Sequence, residues 1–368
     1  MDILNDIYRE CYGLTGHNKL NKLKNLFNNY GLKLYGKNDT YIISSLSKAS
    51  NPRGKYKKIC NYIVTIDDNG FNIVARGVPA VFPPENLKEI MQNHKKYTIY
   101  PVTFGTVIIL YYHNQKWKLA TRRNPHADDA SWISGGNTFA EGFYDSIGDF
   151  DISSLDTKYS YSFVLYRESI HLYSHPSLKG EALFFIGSLS NDSDEILTPD
   201  IGIPTQEILE INDLNKEMIN NNNSKLGYIL RTNNSRGNHI ILKSALYKRI
   251  ESFASTQSSI KDVIKMVQYK SFDEKKRFTE LFPSLKEDLE ELDNIMIELI
   301  DNVLNKNIRI PMVSRIRNAL LNRISSDVLY GNSGKKKIKE ILYNHQDFEI
   351  RRLFDGYYKS IMNKKNNC

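Results

Sequence analysis

Cysteine is scarce in this chain. Cys11, Cys60 and Cys368 are its three cysteines, and no Cys-x-x-Cys pair occurs. That pattern excludes a disulfide framework and a cysteine-based zinc site, and it points to a reducing, intracellular and cytoplasmic setting. Long apolar runs are missing too. The longest, "PVTFGTVIILYY" at 101–112, is interrupted by Gly105 and falls short of the ~18 residues a membrane span needs, so no membrane partner is expected. The opening "MDILNDIYRECYG" carries an acid where a secretory leader would carry basic residues, so no signal peptide is expected. HExxH, GxSxG and Cys/His clusters are absent. "GNSGKKK" lacks the spacing and the Ser/Thr of a phosphate-binding loop. No internal repeat is found.

What remains is a chain of 368 residues, the length of about two domains. Its 40% hydrophobic and 25% charged residues are those of a globular protein. Fifty basic side chains against 42 acidic ones leave a net charge of +8, which suits a polyanionic partner, although lysines also serve simply to solvate a surface. The heavy use of Asn, Lys and Ile resembles products of AT-rich genomes, among them large DNA viruses, which makes a virus a candidate source.

Residues 1–240 read as mainly β, and 241–368 as a C-terminal helical domain. "YIISSLS", "ICNYIVTIDDNGFNIVARGVPAVF", "GTVIILYY", "KWKLATR", "YSFVLY", "IHLYSH", "ALFFIGSL" and "GYILRT" are short runs bounded by turn residues. Asn69-Gly70 between two of them predicts a hairpin. Val102 to Tyr111 and Lys116 to Arg122 are expected to pair as strands. Residues 16–34 and 85–96 predict helices. Residues 191–225, ending in Asn220 to Asn223, predict a loop. Near the far end, Ser284 and Glu287 form a capping-box pattern. Leu285, Leu289, Leu292, Met296, Leu299 and Val303 then make one apolar stripe, read as a helix within a bundle, with a dimerising coil as the alternative. "GNSGKKKIKEIL" could face phosphates or only begin a solvated helix.

Four segments stand in a suggestive order: "NIVARGVPAVFPPENL", "VTFGTVIILYYHNQKWKLATRRN", "YSYSFVLYRESIHLYSHPSLKGEALFFIGSLSNDSDEI" and "KLGYILRTNNSRGNHIILKSALYKRI", followed by a helical tail. This order resembles the phage-type RNA ligases that reseal cleaved tRNA, a branch of the covalent nucleotidyltransferases that includes DNA ligases and capping enzymes. The resemblance covers about residues 60–305 and the helical tail. It implies an α+β nucleotidyltransferase fold of the adenylation-domain type. ATP-grasp-like antiparallel sheets would cradle adenine, with an all-helical domain following. In an active member, a lysine of a K-x-D-G pattern becomes adenylated, carboxylates hold metal and a K-x-K pair holds phosphates. A lysine nucleophile has to lose its proton near neutral pH, and the leaving pyrophosphate has to be met by magnesium and cations.

The carry-over is poor at the charged positions. K-x-D-G falls on Val102, Thr103, Phe104 and Gly105, and only the glycine is kept. The glutamate of F-E-[FL] falls on Val164, that of E-G-Y-V on Leu226, and the first lysine of K-I-K-S on Ile241, leaving Lys243 and Ser244. The upstream Arg76-Gly77 is kept. The resemblance thus implies a pocket in which Val102, Phe104, Val164, Leu226 and Ile241 converge. Apolar residues there suggest a pocket filled with side chains and relieved of its buried charge. Arg76, Arg122, Arg123 and Lys243 are the nucleotide- or phosphate-binding candidates. Each has a plain alternative as a surface, loop or strand cation, with His126, Asp128 and Asp129 as acid and imidazole neighbours of the arginine pair. Tyr111, Tyr112 and Trp117, interleaved with Lys116 and Lys118, form either a base-stacking platform or part of the sheet core.

Three functional classes follow, in this order. The first is a catalytically degenerate RNA-ligase-like protein, with no catalytic residue, metal or cofactor. It would bind nucleic acid, RNA rather than DNA, within a larger complex, with protein partners on the C-terminal helices. The second is an active ATP- and magnesium-dependent ligase whose nucleophile has moved to Lys95, Lys96, Lys116 or Lys118. The third is a structural protein-interaction module.

Overall fold

The computed structural model describes residues 2–37, 39–46, 52, 54–132, 136–167, 180–210, 226–232, 239–253, 260–268, 270–305, 311–330, 334–343, 352–353, 356–357 and 361. The chain divides into two compact units, Met1–Ser259 and Ile260–Cys368. The first is α+β with antiparallel sheets, as the sequence predicts. The division falls later than the expected 240/241 boundary, which would have cut a strand.

Among the described residues, three sheets build the first unit. Strands β1 (Leu32–Lys37), β2 (Thr40–Ser45), β3 (Tyr62–Ile66) and β4 (Phe71–Arg76) form an antiparallel meander. Asn69 and Gly70 lie in the tight turn between β3 and β4, where the Asn-Gly pair predicts one. Alternation assigns the two faces of this sheet. Leu34, Ile43 and Val64 pack under helices α1 (Asp2–Arg9) and α2 (Gly16–Asn29), while Ile42, Ile63 and Ala75 face a different core.

That second core is shared with the sheet β7-β6-β8-β9, built from β6 (Thr106–His113), β7 (Lys116–Thr121), β8 (Tyr159–Arg167) and β9 (Glu181–Ser190). Val107, Ile109 and Tyr111 of β6 face it, whereas Ile108 and Leu110 point the other way, toward Phe143 on α4 (Phe139–Ile147). Both faces of β6 are covered, which is why its sequence is a continuous apolar run rather than an alternating one. The hairpin pairs Tyr112 with Trp117 and His113 with Lys116.

A third sheet, β11-β10-β5, joins β5 (Tyr97–Pro101), β10 (Gly227–Thr232) and β11 (Ile240–Lys243). Tyr228, Leu230, Ile240 and Leu242 fill its outer face beneath α3 (Leu87–Gln92). After β11 comes α5 (Ala245–Phe253), with Ser244 Oγ accepting from the Tyr247 N–H at its start.

The second unit is helical: α6 (Ile260–Gln268), α7 (Phe272–Leu281), α8 (Lys286–Leu304), α9 (Pro311–Leu321), α10 (Ser326–Tyr330) and α11 (Gly334–Tyr343). Leu289, Leu292, Met296, Leu299 and Val303 of α8 are buried as the stripe predicts. Met296, Leu299 and Val303 lie in one core with residues of α9, α10 and α11, which is the bundle reading rather than the dimerising coil. Among the described residues no helix is long and apolar enough to cross a membrane.

Several expectations need correction. The predicted helix 16–34 stops at Asn29, because Gly31 takes a left-handed φ of 77° and the chain turns into β1. The helix at 85–96 is shorter, Leu87–Gln92, and is followed by a 3-10 turn at His94–Lys96. The strand expected from Val102 begins at Thr106. A 3-10 turn at Pro283–Leu285 precedes α8, whose N-cap is Leu285 rather than Ser284, and the side chain of Ser284, on which the expected capping box rests, lies outside what is described. Boxes occur instead at Thr138/Glu141 and Ser271/Glu274. Residues 170–175 and Asn220 to Asn223 lie outside the described residues.

Candidate ligand cleft between two sheets

Between the third sheet and the sheet β7-β6-β8-β9 lies a cleft of about 410 Å³ in the first unit, one wall of which is also part of the second core. Its walls follow from the same alternation. On β10, Tyr228 and Leu230 point to the outer core, so Ile229 and Arg231 point into the cleft. On β11, Ile240 and Leu242 pack outward, and Ile241 and Lys243 line the cleft. Val107, Val164 and Ile186 form the opposite wall, and residues 78–83 complete the rim.

Val102, Phe104, Val164 and Ile241 all line this cleft, so the structure brings together four of the five converging positions. Val102 is 6% exposed, and its N–H donates to the Gly227 carbonyl at 3.0 Å, prolonging the β5–β10 pairing. Phe104 stands 5.4 Å from the Tyr247 ring. Leu226 is buried beside them but is not a lining residue; its carbonyl accepts from the Ser244 N–H. Two glycines let the backbones meet here. A Cβ on Gly105 would lie 2.5 Å from Val164 Cγ1 and 2.7 Å from the Leu165 oxygen. Gly227 has a φ of 133°, and a Cβ there would meet the Leu242 oxygen at 2.1 Å. The expectation of a filled pocket is corrected: the cleft persists.

The cationic candidates separate. Arg76 does not line the cleft. Its guanidinium bonds Asp194 at 3.2 Å and lies 5.2 Å from the Tyr62 ring centroid, which makes it a packing and pairing residue. Lys243 does line it, but its Nζ donates to both Glu251 oxygens at 2.8 Å and sits over Tyr247. Arg123 is exposed at the rim. Arg122 is half-buried, with its Nε enclosed and without a hydrogen-bond partner. Burial pushes its guanidinium pKa down, partly offset by the nearby Cys60 and Tyr247.

Sequence reasoning missed Arg231 and Gln206. Arg231 is buried. Its Nη1 donates to the Ile186 carbonyl at 3.0 Å and its Nη2 to Gln206 Oε1 at 3.2 Å, and the guanidinium stacks 4.5 Å from the Tyr100 ring. Burial first, and then the neighbouring charge of Arg122, push it down to about 10, against the favourable influence of Tyr100. The period of two in "GYILRT" carried the signal for Arg231, since it shares a face with Ile229. Gln206 lies in an irregular stretch and had no local signal.

The alternative lysines Lys95, Lys96, Lys116 and Lys118 are not among the residues lining the cleft. Of the two readings of Tyr111, Tyr112 and Trp117, the structure agrees with the sheet core. Tyr111 is buried and donates to the Pro125 carbonyl, and Trp117 packs edge-on against Tyr112 and Tyr161. Lys335 and Lys337 of the basic tail segment pair with Asp301 and Glu340. Among the described residues there is no group of three or more His, Cys, Asp or Glu that could hold a metal.

No protein-family model and no curated protein matches the sequence. Among solved structures, the chain is similar to a putative ATP-dependent DNA ligase from Aquifex aeolicus, at 12% identity and a TM-score of 0.42 over 84% of this chain and 89% of that one. It is similar to an archaeal ATP-dependent RNA ligase at 10% identity and a TM-score of 0.41, over 80% and 82%. A Naegleria gruberi RNA ligase, a lysine-to-methionine mutant with AMP and Mn, matches 47% of this chain and 57% of its own length, at 14% identity and a TM-score of 0.33. Likenesses this weak assign no chemistry, and the side chains of the cleft have to be judged by themselves.

Proposed function

We propose that this chain is an RNA-ligase-like protein of the phage, tRNA-repair type that has lost nucleotidyl transfer and binds nucleic acid, RNA rather than DNA, within a larger complex. The observation that supports it is the pairing of a retained cleft with a missing amine. Val102 occupies the position the resemblance gives to the nucleophile. Lys243, the one lysine among the described lining residues, is matched by Glu251. Covalent nucleotidyl transfer needs a free amine within reach of an α-phosphate. The acid inventory of the cleft agrees: Glu251 is its one carboxylate among those residues, and it is already engaged. On this reading ATP and magnesium are not cofactors. The retained cations serve binding.

The test is direct. The full chain is incubated with α-labelled ATP or GTP and magnesium, denatured and resolved on a gel. No label should remain on the protein. A label that disappears when Lys95, Lys96, Lys116, Lys118 or Lys243 is changed would establish a relocated nucleophile instead. RNA binding followed across a salt series should weaken with a log–log slope of about −0.7 per phosphate contacted on a single strand. Absence of any salt-dependent RNA binding would leave the protein-interaction module.

A further inference from the structure

Helix α2 turns an all-polar face to solvent. Leu20, Leu23, Leu26 and Phe27 hold its other face against the first core. Beyond Gly16, every exposed residue of the helix is His17, Lys22 or one of five asparagines, Asn18, Asn21, Asn25, Asn28 and Asn29. At about 100° per residue these seven positions share one arc of about 140°, along about 18 Å of helix. The helix contains no acid. Lys22 and Lys24 form no ion pair among the described residues. The acids beside it are held: Asp6 by Arg9 and Lys55, Asp68 by Lys19, and Glu10 by the Tyr30 hydroxyl. Among the described residues none of the five carboxamides makes a hydrogen bond. Asparagine is one of the weaker helix formers, because its amide competes for the backbone. Five of them at solvent positions therefore weaken this helix and give it no internal contact in return. The chain's general richness in asparagine does not account for the cluster, since α8, with 19 residues, holds Asn294 and Asn302 alone.

We propose that the outer face of α2 binds single-stranded RNA by the edges of its bases, with adenine preferred. The inference rests on the reading of the chain as an RNA binder and names a surface for it apart from the cleft, none of whose lining residues belongs to α2. A carboxamide carries a donor and an acceptor side by side, which matches the N6 amino group and N7 of adenine. It carries no charge with which to hold a phosphate. Lys22 within the face and Lys24 at its flank supply charge for the backbone. An acid-free helix face on a chain of net charge +8 is complementary to a polyanion. Paired RNA is a poor match, because the deep, narrow major groove of its duplex excludes a helix, whereas unpaired bases expose these edges.

The experiment measures binding of the full chain to labelled oligo(A), oligo(U) and oligo(C) ribonucleotides by fluorescence anisotropy across a salt series, beside thermal unfolding. Wild type should bind oligo(A) most tightly. Asn21→Ala combined with Asn25→Ala should weaken oligo(A) binding roughly 10- to 30-fold, the low end of what two amide–base contacts are worth, and should level the preference among the three strands. Its Tm should rise by about 2–5 °C, since alanine is the better helix former, so lost binding will not be lost folding. Its salt slope should match that of wild type, whereas Lys22→Gln should lower the slope by about 0.7, one phosphate contact. Asn294→Ala, at an exposed position of α8, should leave binding unchanged. A raised Tm with oligo(A) binding intact is what a merely solvated face would give, and it overturns this inference while RNA binding stands. Equal wild-type affinity for the three strands, a preference for duplex DNA, or a self-association that the double variant abolishes also overturns it. Absence of binding to any RNA sinks the reading of function together with this inference, a result distinct from the others.

Discussion

Val102→Lys restores, in a single substitution, the amine that the resemblance expects. The cleft of about 410 Å³ has room for the longer side chain, so the cost is electrostatic rather than steric. Val102 is 6% exposed. The new ammonium would join Arg122, Arg123 and Arg231, for which no acid partner stands among the described residues, while Glu251 is already held by Lys243. An uncompensated buried charge costs about 3–5 kcal/mol. Water in the cleft screens part of this, so about 3 kcal/mol is the expected loss. In a unit of this size that corresponds to roughly 6–12 °C in Tm, read by calorimetry. The sign with pH can be worked out. The introduced amine has a folded-state pKa below its unfolded value, so the full penalty is present below the folded value. It is relieved as pH rises from there toward the unfolded one near ~10.4. The gap in Tm between wild type and variant should therefore narrow at alkaline pH. The variant should also carry no covalent nucleotide, because groups that act as a unit are not restored one at a time. An unchanged Tm would refute the charge argument. A lysyl-adenylate on Val102→Lys alone would refute the claim that its partners are missing.

Two further outcomes test the architecture. Gly105→Ala should destabilise the first unit by roughly 1–3 kcal/mol in denaturant unfolding, because its Cβ would meet a backbone oxygen, Leu165 O at 2.7 Å, which cannot swing aside; a neutral result would contradict the close approach of the two strands. Cys11 and Cys60 are both fully buried, and burial pushes the Cys11 thiol pKa up, so neither should be modified by a thiol reagent in the native protein while both react after unfolding, as mass spectrometry of the modified peptides will show.

Much of the scaffold could be read from pattern. The β6–β7 hairpin, the Asn69-Gly70 turn and the α8 stripe each carry a local signature strong enough to survive tertiary context. Other elements did not. Leu32 and Leu34 prolong the apolar spacing of Leu23, Leu26 and Phe27, so a period-based reading carries α2 straight into β1. Gly31 was the stop signal. Val102 to Gly105 look like strand because they are apolar, yet Val102 continues β5 by bonding to Gly227, and Gly105 sits against β8. Arg76 looked like a ligand because it begins a conspicuous segment. Asp194, far away in sequence, claims it. Long-range partners of this kind leave no trace in the neighbouring residues.

The surviving cleft has a geometric cause that also accounts for the failed expectation of a filled pocket. On β10 and β11 the alternate side chains fill the outer core, so Ile229, Arg231, Ile241 and Lys243 can change without disturbing that packing, whereas Val107 and Val164 on the opposite wall belong to the second core as well. Where the resemblance expects lysine or glutamate, Val102, Val164 and Ile241 place side chains that are smaller or no larger, and substitutions in that direction cannot close a cavity. Phe104 is the larger exception, and its ring reaches Tyr247 at the cleft wall. Glu251, the one acidic residue among the described lining residues, is paired with Lys243. Arg122 and Arg231 line the same cleft, and the Nε of each has no hydrogen-bond partner.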